Sequence, residues 1–70
     1  MERKQVSSSN LKSIGFDPSD GILEVEFHNG GIYQYLNVPD ATYFELMNAP
    51  SIGRYLNDYV KGRHQFKKIN

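Results

Sequence analysis

The stretch from Leu23 to Tyr35 constrains the fold more than any other part of the chain, because it has the pattern of two strands joined by a tight turn. In its first half, apolar and polar residues alternate as in a strand with one buried face: Leu23, Glu24, Val25, Glu26, Phe27 and His28. In its second half, two tyrosines alternate around Gln34 in the same way. Between the halves lies Asn29-Gly30, a strong short-range hairpin signal. The sequence therefore predicts an antiparallel β-hairpin here.

The length of the hairpin loop decides on which face of the sheet Tyr33 and Tyr35 lie. A two-residue loop, 29–30, places them on the face of the glutamates. A three-residue loop, 28–30, has its glycine at positive φ and pairs the tyrosines with the apolar residues of the first strand. Only this second register separates an aromatic face from a polar face, and it spares Gln34 from burial. We therefore favour the three-residue loop.

A further strand is predicted upstream of the hairpin, between Val6 and Phe16. Leu11 and Ile14 do not share a parity, so this strand either contains a bulge or begins only near Leu11. The segment 17–21, Asp-Pro-Ser-Asp-Gly, is a turn cluster whose proline presets the first corner and whose glycine can take a positive φ. It joins this strand to the hairpin, and the three strands form an antiparallel meander.

Two helices are predicted after the sheet. The first runs from Asp40 to about Ala49 and is ended by a proline. The second runs from Ile52 to about Lys61, with a serine cap before it and Gly62 as its C-terminal cap. Its apolar residues recur at the spacing of one helix face: Ile52, Tyr55, Leu56, Tyr59 and Val60.

These elements predict a small α+β domain: a three-stranded antiparallel meander followed by two helices packed on its aromatic face, in the order β-β-β-α-α. Residues 1–5 are expected to be a flexible N-terminus, residues 6–62 the single domain and residues 63–70 a basic C-terminal tail. Within this tail, Phe66 is a candidate to fold back onto the sheet edge. The polar sheet face around Gln34 is expected to stay open, so one hypothesis is a protein partner or a homo-oligomer formed through that face.

The absence of cysteine in the 70 residues excludes a disulfide framework and thiolate chemistry. A small secreted domain usually carries disulfides, so we expect a cytoplasmic location. No apolar run is long enough for a membrane span or a signal sequence, so we expect no membrane partner. The net charge is zero but segregated, since no Lys or Arg lies between Lys12 and Arg54 while six of the eight acids do.

Charge and local geometry single out the second helix as a candidate binding site. Gly53 in its first turn leaves backbone N–H groups accessible and Arg54 adds a cation, an arrangement that binds phosphate groups. Lys61 lies two turns further along the same face and Arg63 follows the helix, so these three cations are hypothesised to form one strip facing a phosphate-bearing partner. The alternative is that the charges only solvate the surface and that Gly53 permits close packing between the helices.

Other residues offer weaker functional hypotheses. Tyr33 and Tyr35 could stack on bases, as aromatic residues on RNA-binding sheets do, but in the favoured register they face the helices and fill the core. His28 and His64 have no neighbouring ligand set, so no metal site is predicted. The glutamates of the hairpin lie side by side on one strand rather than across a cleft. We therefore predict no catalytic residue, no metal ligand, no cofactor and no enzymatic activity.

Several short motifs follow one another along the chain: Ser-Ser-Asn-Leu (8–11), Ile-Gly-Phe-Asp (14–17), Leu-Glu-Val-Glu-Phe-His-Asn-Gly (23–30), Tyr-Gln-Tyr (33–35), Val-Pro (38–39) and Ala-Pro-Ser-Ile-Gly-Arg-Tyr-Leu-Asn (49–57). This series resembles the KTSC domain. That family is named for the C-terminal domain of some lysyl-tRNA synthetases and also occurs as small stand-alone bacterial and phage proteins. The resemblance covers roughly residues 6–62, and Phe16 stands where the family often has tyrosine.

The resemblance implies a small non-enzymatic binding module, with binding of RNA or tRNA suggested by the attachment to a synthetase. It supplies no catalytic residue. Two alternatives stay open: a protein-interaction or self-associating regulatory module, and a small-nucleotide binder whose pocket forms between the second helix and a neighbouring protomer. The candidate residues for a ligand or nucleic acid are Tyr33, Tyr35, Gly53, Arg54, Lys61 and Arg63.

Overall fold

The computed structural model describes all 70 residues and shows one antiparallel sheet with two helices. The elements are β1 (Lys4–Gln5), β2 (Leu11–Asp17), β3 (Ile22–Phe27), β4 (Ile32–Tyr35), α1 (Asp40–Met47), α2 (Ile52–Tyr59) and β5 (Phe66–Lys68). The strands lie side by side in chain order, each antiparallel to its neighbour, and both helices are inserted between β4 and β5. The α+β class is confirmed, but the sheet has five strands rather than three.

The two additional strands come from the ends of the chain, 1–5 and 63–70, where the sequence pattern predicts no strand. β1 pairs Lys4 with Ile14, and β5 pairs Phe66 with Tyr35. Both strands are short and their residues are exposed, so neither shows the alternation of buried and exposed residues that reveals a strand in a sequence. Backbone pairing to an existing sheet edge holds them in place.

The hairpin between β3 and β4 has the favoured register. Val25 pairs with Tyr33 and Leu23 pairs with Tyr35. Gly30 has a φ of 94°, as the last residue of a three-residue loop requires. Both tyrosines consequently lie on the helix side of the sheet.

Both alternatives proposed for the first predicted strand hold for β2. It begins only at Leu11, and its pairing register with β3 shifts between Leu11 and Ser13. The shift lets the apolar side chains on either side of it face the core. Further along, the Phe16 ring stacks on Tyr43 of α1 with centroids 4.6 Å apart.

The core lies between the sheet and the helices, and both helices end two residues earlier than predicted. It contains nine buried residues: Leu11, Ile14, Leu23, Val25, Tyr35, Val38, Leu46, Leu56 and Val60. The predicted cap of α2 forms, because Ser51 Oγ accepts from the Arg54 N–H at 3.3 Å. Tyr59, predicted on the apolar face, is instead 51% exposed. Its ring finds contacts at the surface, against Tyr55 and the Arg63 guanidinium.

The polar face of the sheet is covered, contrary to the prediction that it stays open. The segment leading into β1 crosses this face, and the Arg3 guanidinium donates to Ser13 Oγ at 2.9 Å and pairs with the Glu24 carboxylate. Gln34 Nε2 donates to the same carboxylate at 2.8 Å, and Glu24 is 4% exposed. The prediction failed because the N-terminal segment, with Arg3 as its main side-chain contact, provides the cover and has no sequence periodicity.

The surroundings of Glu24 favour its charged form. Burial alone raises the pKa of this carboxyl, but the hydrogen bonds from Gln34 and Arg3 and the guanidinium charge outweigh burial and hold the pKa below its ordinary value of 4.5. Because folding lowers this pKa, the stabilising contribution is present above pH 4.5 and is lost as the pH falls through the folded value.

We expect the free energy of unfolding to fall as the pH is lowered below 4.5, and to fall less steeply in Glu24→Gln, which has no carboxylate at this position to protonate. Denaturant titrations on both sides of that pH measure the two slopes. Asp20→Asn is the matched control, because it removes one carboxylate at an exposed position. Equal slopes for Glu24→Gln and the wild type would contradict the coupling of Glu24 to folding.

Gly30→Val should destabilise the domain, because a β-branched residue resists a φ of 94°. No atom lies within 4 Å of the position its Cβ would take, so the cost is in the backbone alone. We expect a loss of about 1–3 kcal/mol in urea denaturation. Gly53→Ala is the control, since its Cβ would have 3.5 Å to its nearest neighbour and no loss is expected. An unchanged melting temperature in Gly30→Val would show that the loop does not constrain the fold.

Candidate nucleic-acid interface

An aromatic cleft opens on the helix side of the sheet, between β4, β5 and the segment that follows α2. Its volume is about 330 Å³. The lining residues are Phe27, Asn29, Tyr33, Tyr35, Lys61, Gly62 and Phe66. Four of these seven are aromatic, so aromatic rings supply most of the surface that a ligand would meet.

Strand pairing holds the four rings together. Phe27 and Tyr33 meet edge to face, with centroids 5.5 Å apart and an interplanar angle of 87°. Phe66 is the cross-strand partner of Tyr35, and its ring centroid lies 5.7 Å from that of Tyr33 and 5.9 Å from that of Tyr35. Phe66 is 58% exposed, so much of its surface is free to contact a ligand.

The chain reversal after α2 brings a cation to the mouth of this cleft. The helix ends at Tyr59, and Gly62, with a φ of 79°, turns the chain back towards β5. Between them, Lys61 places its Nζ 5.0 Å from the centroid of the Phe27 ring, a cation–π distance. The lysine therefore lies beside the aromatic surface rather than extending freely into solvent.

The aromatic cleft is locally cationic although the chain has no net charge. None of its lining residues is acidic. Lys68 is the cross-strand neighbour of Tyr33 and so lies on the same side of the sheet as the cleft. Glu24 and Glu26 project from the opposite face, where Arg3 pairs with both. The sheet thus separates the two glutamates from the cleft.

The structure places both tyrosines on the helix side of the sheet, where they line the aromatic cleft. Tyr35 is 4% exposed and belongs to the core, yet it also lines the aromatic cleft. Tyr33 is half-buried and lines the cleft beside it. Burial, and to a smaller extent the charge of neighbouring Tyr33, raises the pKa of the Tyr35 hydroxyl. Its hydroxyl is therefore protonated around neutral pH.

The three cations hypothesised to form one strip make separate contacts. Arg54 Nε lies 3.7 Å from Asp58 one turn along α2, and the arginine side chain is 83% exposed. The Arg63 guanidinium lies over the Tyr59 ring, 5.6 Å from its centroid. Lys61 alone among the three lines the aromatic cleft.

A polar groove adjoins the aromatic cleft along α2. It has a volume of about 350 Å³, lies between α2 and the segment before β2, and shares Phe27, Asn29 and Lys61 with the cleft. Gly53 lines this groove, and a Cβ there would lie 3.5 Å from Ser8 Oγ. The small residue therefore gives room towards the segment before β2, not towards α1 as the packing alternative proposed.

Phe27, Asn29 and Phe66 line the cleft but are absent from the residues selected from the sequence. Phe66 depends on β5, which has no recognisable pattern. Phe27 could have been selected from the sequence, because in the favoured register it shares a face with Tyr33 and Tyr35, so three aromatic residues lie along one face of the hairpin.

Each histidine ring lies beside a backbone carbonyl oxygen. His28 Nε2 lies 3.0 Å from the Ser8 carbonyl oxygen, and His64 Nδ1 lies 3.1 Å from the Leu36 carbonyl oxygen. No group of three His, Cys, Asp or Glu side chains is placed to hold a metal ion. Neither eight-residue helix has the length or apolar character needed to cross a bilayer.

Comparison with known proteins identifies the family. The family model of the KTSC domain matches residues 7–66, so the chain belongs to the KTSC domain family, and the resemblance noted in the sequence is confirmed. A crystal structure of a KTSC domain protein from Yersinia pestis has the same fold, with a TM-score of 0.95 and 42% sequence identity. The match covers 99% of this chain and 97% of that chain.

Two kinds of protein are similar in sequence to this chain: small uncharacterised proteins and lysine–tRNA ligases. An uncharacterised protein of Stutzerimonas stutzeri (strain A1501) is 44% identical over 64 residues, which is 91% of this chain and 90% of that protein. A lysine–tRNA ligase of Nostoc sp. (strain PCC 7120) is 36% identical over 62 residues, which is 89% of this chain but only 11% of the ligase. The similarity to the ligase is thus confined to a small segment of that enzyme.

Proposed function

We propose that this KTSC domain is a non-enzymatic module that binds single-stranded RNA by stacking unpaired bases in the aromatic cleft. The observation that carries the proposal is the cleft itself: four aromatic rings, a lysine at the mouth and no acidic lining residue. Unpaired bases are the parts of RNA that proteins bind by stacking on aromatic side chains. Each stacked base contributes about 1–3 kcal/mol.

The size and position of the aromatic cleft suit such a ligand. Its volume of about 330 Å³ lies within the range of small-ligand pockets, about 300–1,000 Å³. The rings of Tyr33 and Phe66 are partly exposed, so they offer flat surface without unfolding the core. A base inserted here is flanked by Lys61, whose ammonium can contact the phosphate that follows.

The polar groove supplies a path for the sugar–phosphate chain. It begins at Asn29 and Lys61, which it shares with the aromatic cleft, and continues along α2 to Gly53. From Gly53 a further polar depression leads to Arg54, the cation selected from the sequence. In this proposal Lys61 and Arg54 contact phosphates at the two ends of the groove, and Arg63 lies outside it.

The zero net charge is compatible with RNA binding because opposite charges lie on opposite faces. Arg3 pairs with Glu24 and Glu26 on the far side of the sheet, leaving the field at the cleft cationic. The same contact covers the face on which the hypothesis of a protein partner or homo-oligomer depended. Similarity to a segment of a lysine–tRNA ligase makes tRNA the RNA to test first.

Phe66→Ala should weaken binding of labelled single-stranded RNA roughly 5- to 150-fold, the effect of losing one stacking partner. Phe44→Ala is the matched control, because Phe44 is 62% exposed, much like Phe66, and does not line the cleft. Fluorescence anisotropy gives both affinities, and thermal melting verifies that both variants fold. Equal affinities for the two variants would place the site elsewhere.

The contribution of the cationic side chains to RNA affinity is tested by measuring binding of the same RNA at increasing salt concentration. Arg54→Glu with Arg63→Glu should leave the melting temperature nearly unchanged, since both side chains are exposed. It should weaken binding and flatten the dependence of affinity on salt. Absence of binding by the wild type to single-stranded RNA and to tRNA at low salt would refute the proposal. Binding of mononucleotides with equal affinity would instead favour the small-nucleotide alternative.

A further inference from the structure

The buried tyrosine of the aromatic cleft has a hydroxyl group that the fold does not use. Tyr35 is 4% exposed, and its ring belongs to the core. A tyrosine hydroxyl elsewhere in the protein is hydrogen-bonded, since Tyr55 donates to Glu45 Oε1 at 2.8 Å. The Tyr35 hydroxyl has no partner within the protein, although buried hydroxyls usually find one.

The position of this hydroxyl can be deduced from the other polar groups. Every fully enclosed side-chain nitrogen or oxygen in the structure has a hydrogen-bond partner. The unpartnered Tyr35 hydroxyl is therefore not enclosed. Of the cavities described above, Tyr35 lines the aromatic cleft alone, so the cleft is where we expect its hydroxyl to meet solvent.

Packing alone does not account for a tyrosine at this position. Phenylalanine would fill the same space and pair in the same way with Leu23 and Phe66, without a polar group to keep hydrated. Because the hydroxyl is not enclosed, water can be its partner in the free protein. A ligand that fills the cleft displaces this water, so it must either accept a hydrogen bond from the hydroxyl or leave a buried hydroxyl unpartnered.

We infer that the Tyr35 hydroxyl donates a hydrogen bond to the edge of a base held in the aromatic cleft, and so selects bases by their acceptor groups. The inference rests on the proposed function, because it needs a base in the cleft. The acceptor would be a carbonyl oxygen or a ring nitrogen of an unpaired base. Burial raises the pKa of this hydroxyl, so the proton needed for donation is present at neutral pH.

Tyr33 has a different role in this arrangement. It lines the same cleft, but its side chain is less buried than that of Tyr35. Because Tyr33 is more exposed, its hydroxyl can keep water as a partner when a base fills the cleft, so removing it changes the affinity less. Tyr33→Phe is therefore the matched control for Tyr35→Phe: each removes one oxygen and keeps the ring for stacking.

The experiment measures, by fluorescence anisotropy, the affinity of the full chain for two labelled single strands of equal length. One is oligouridine, and the other carries 2,4-difluorobenzene in place of uracil, an apolar isostere that stacks but accepts hydrogen bonds poorly. The wild type and Tyr33→Phe should prefer oligouridine. Tyr35→Phe should bind oligouridine roughly 3- to 10-fold more weakly, the contribution of one neutral hydrogen bond, and the isostere as well as the wild type does. Its melting temperature should be nearly unchanged.

Each of the following results would contradict the inference about Tyr35. If Tyr35→Phe keeps the wild-type preference for oligouridine, the inference is wrong while the proposed function stands. If Tyr35→Phe melts at a clearly lower temperature, the hydroxyl has a structural role and the inference is also wrong. If the wild type binds neither strand, nor strands of adenosine or cytidine, then the proposed function fails and the inference fails with it. If both tyrosine variants lose equal affinity for oligouridine, selection does not reside in Tyr35.

Discussion

The register of the hairpin between β3 and β4 is the constraint on which the rest of the structure depends. The three-residue loop ending at Gly30 places Tyr33 and Tyr35 on the helix side and Gln34 on the other. A slip of one residue would turn the tyrosines towards Arg3 and bring the polar side chains into the core. The length of this one loop therefore determines three features: the buried core, the ion pairs of Arg3 on the polar face of the sheet, and the aromatic cleft.

Much of this fold can be predicted from the sequence, because the hairpin, the turns and the helices each have a local residue pattern with a known physical cause. β1 could not be predicted, and β5 was anticipated only as the folding of Phe66 back onto the sheet edge, since both strands are held by backbone pairing and have exposed residues. Gly15 was an unused signal. A Cβ there would lie 2.5 Å from the Glu2 carbonyl oxygen, so this glycine marks where the N-terminal segment crosses the sheet.

The candidate site was predictable to the extent that it comes from patterned elements. Tyr33, Tyr35 and Lys61 belong to the hairpin and the region after α2, and the structure brings them into one cleft. Phe66 completes that cleft through a contact far apart in sequence, which no local pattern contains. Helical spacing alone grouped Arg54 with Lys61. In the structure each of the two has its own partner: Arg54 pairs with Asp58, and Lys61 lies over the Phe27 ring.

β5 has a consequence for the dynamics of the domain. It is a three-residue edge strand with exposed side chains, the kind of element that opens locally at a small fraction of the global unfolding free energy. Opening removes Phe66 and therefore one wall of the aromatic cleft. A ligand that contacts Phe66 binds only the closed form, so it must shift this local equilibrium and slow the hydrogen exchange of amides such as Leu36 N–H, which donates to Gln65. Occupancy of the cleft and order at the chain's end are thermodynamically linked.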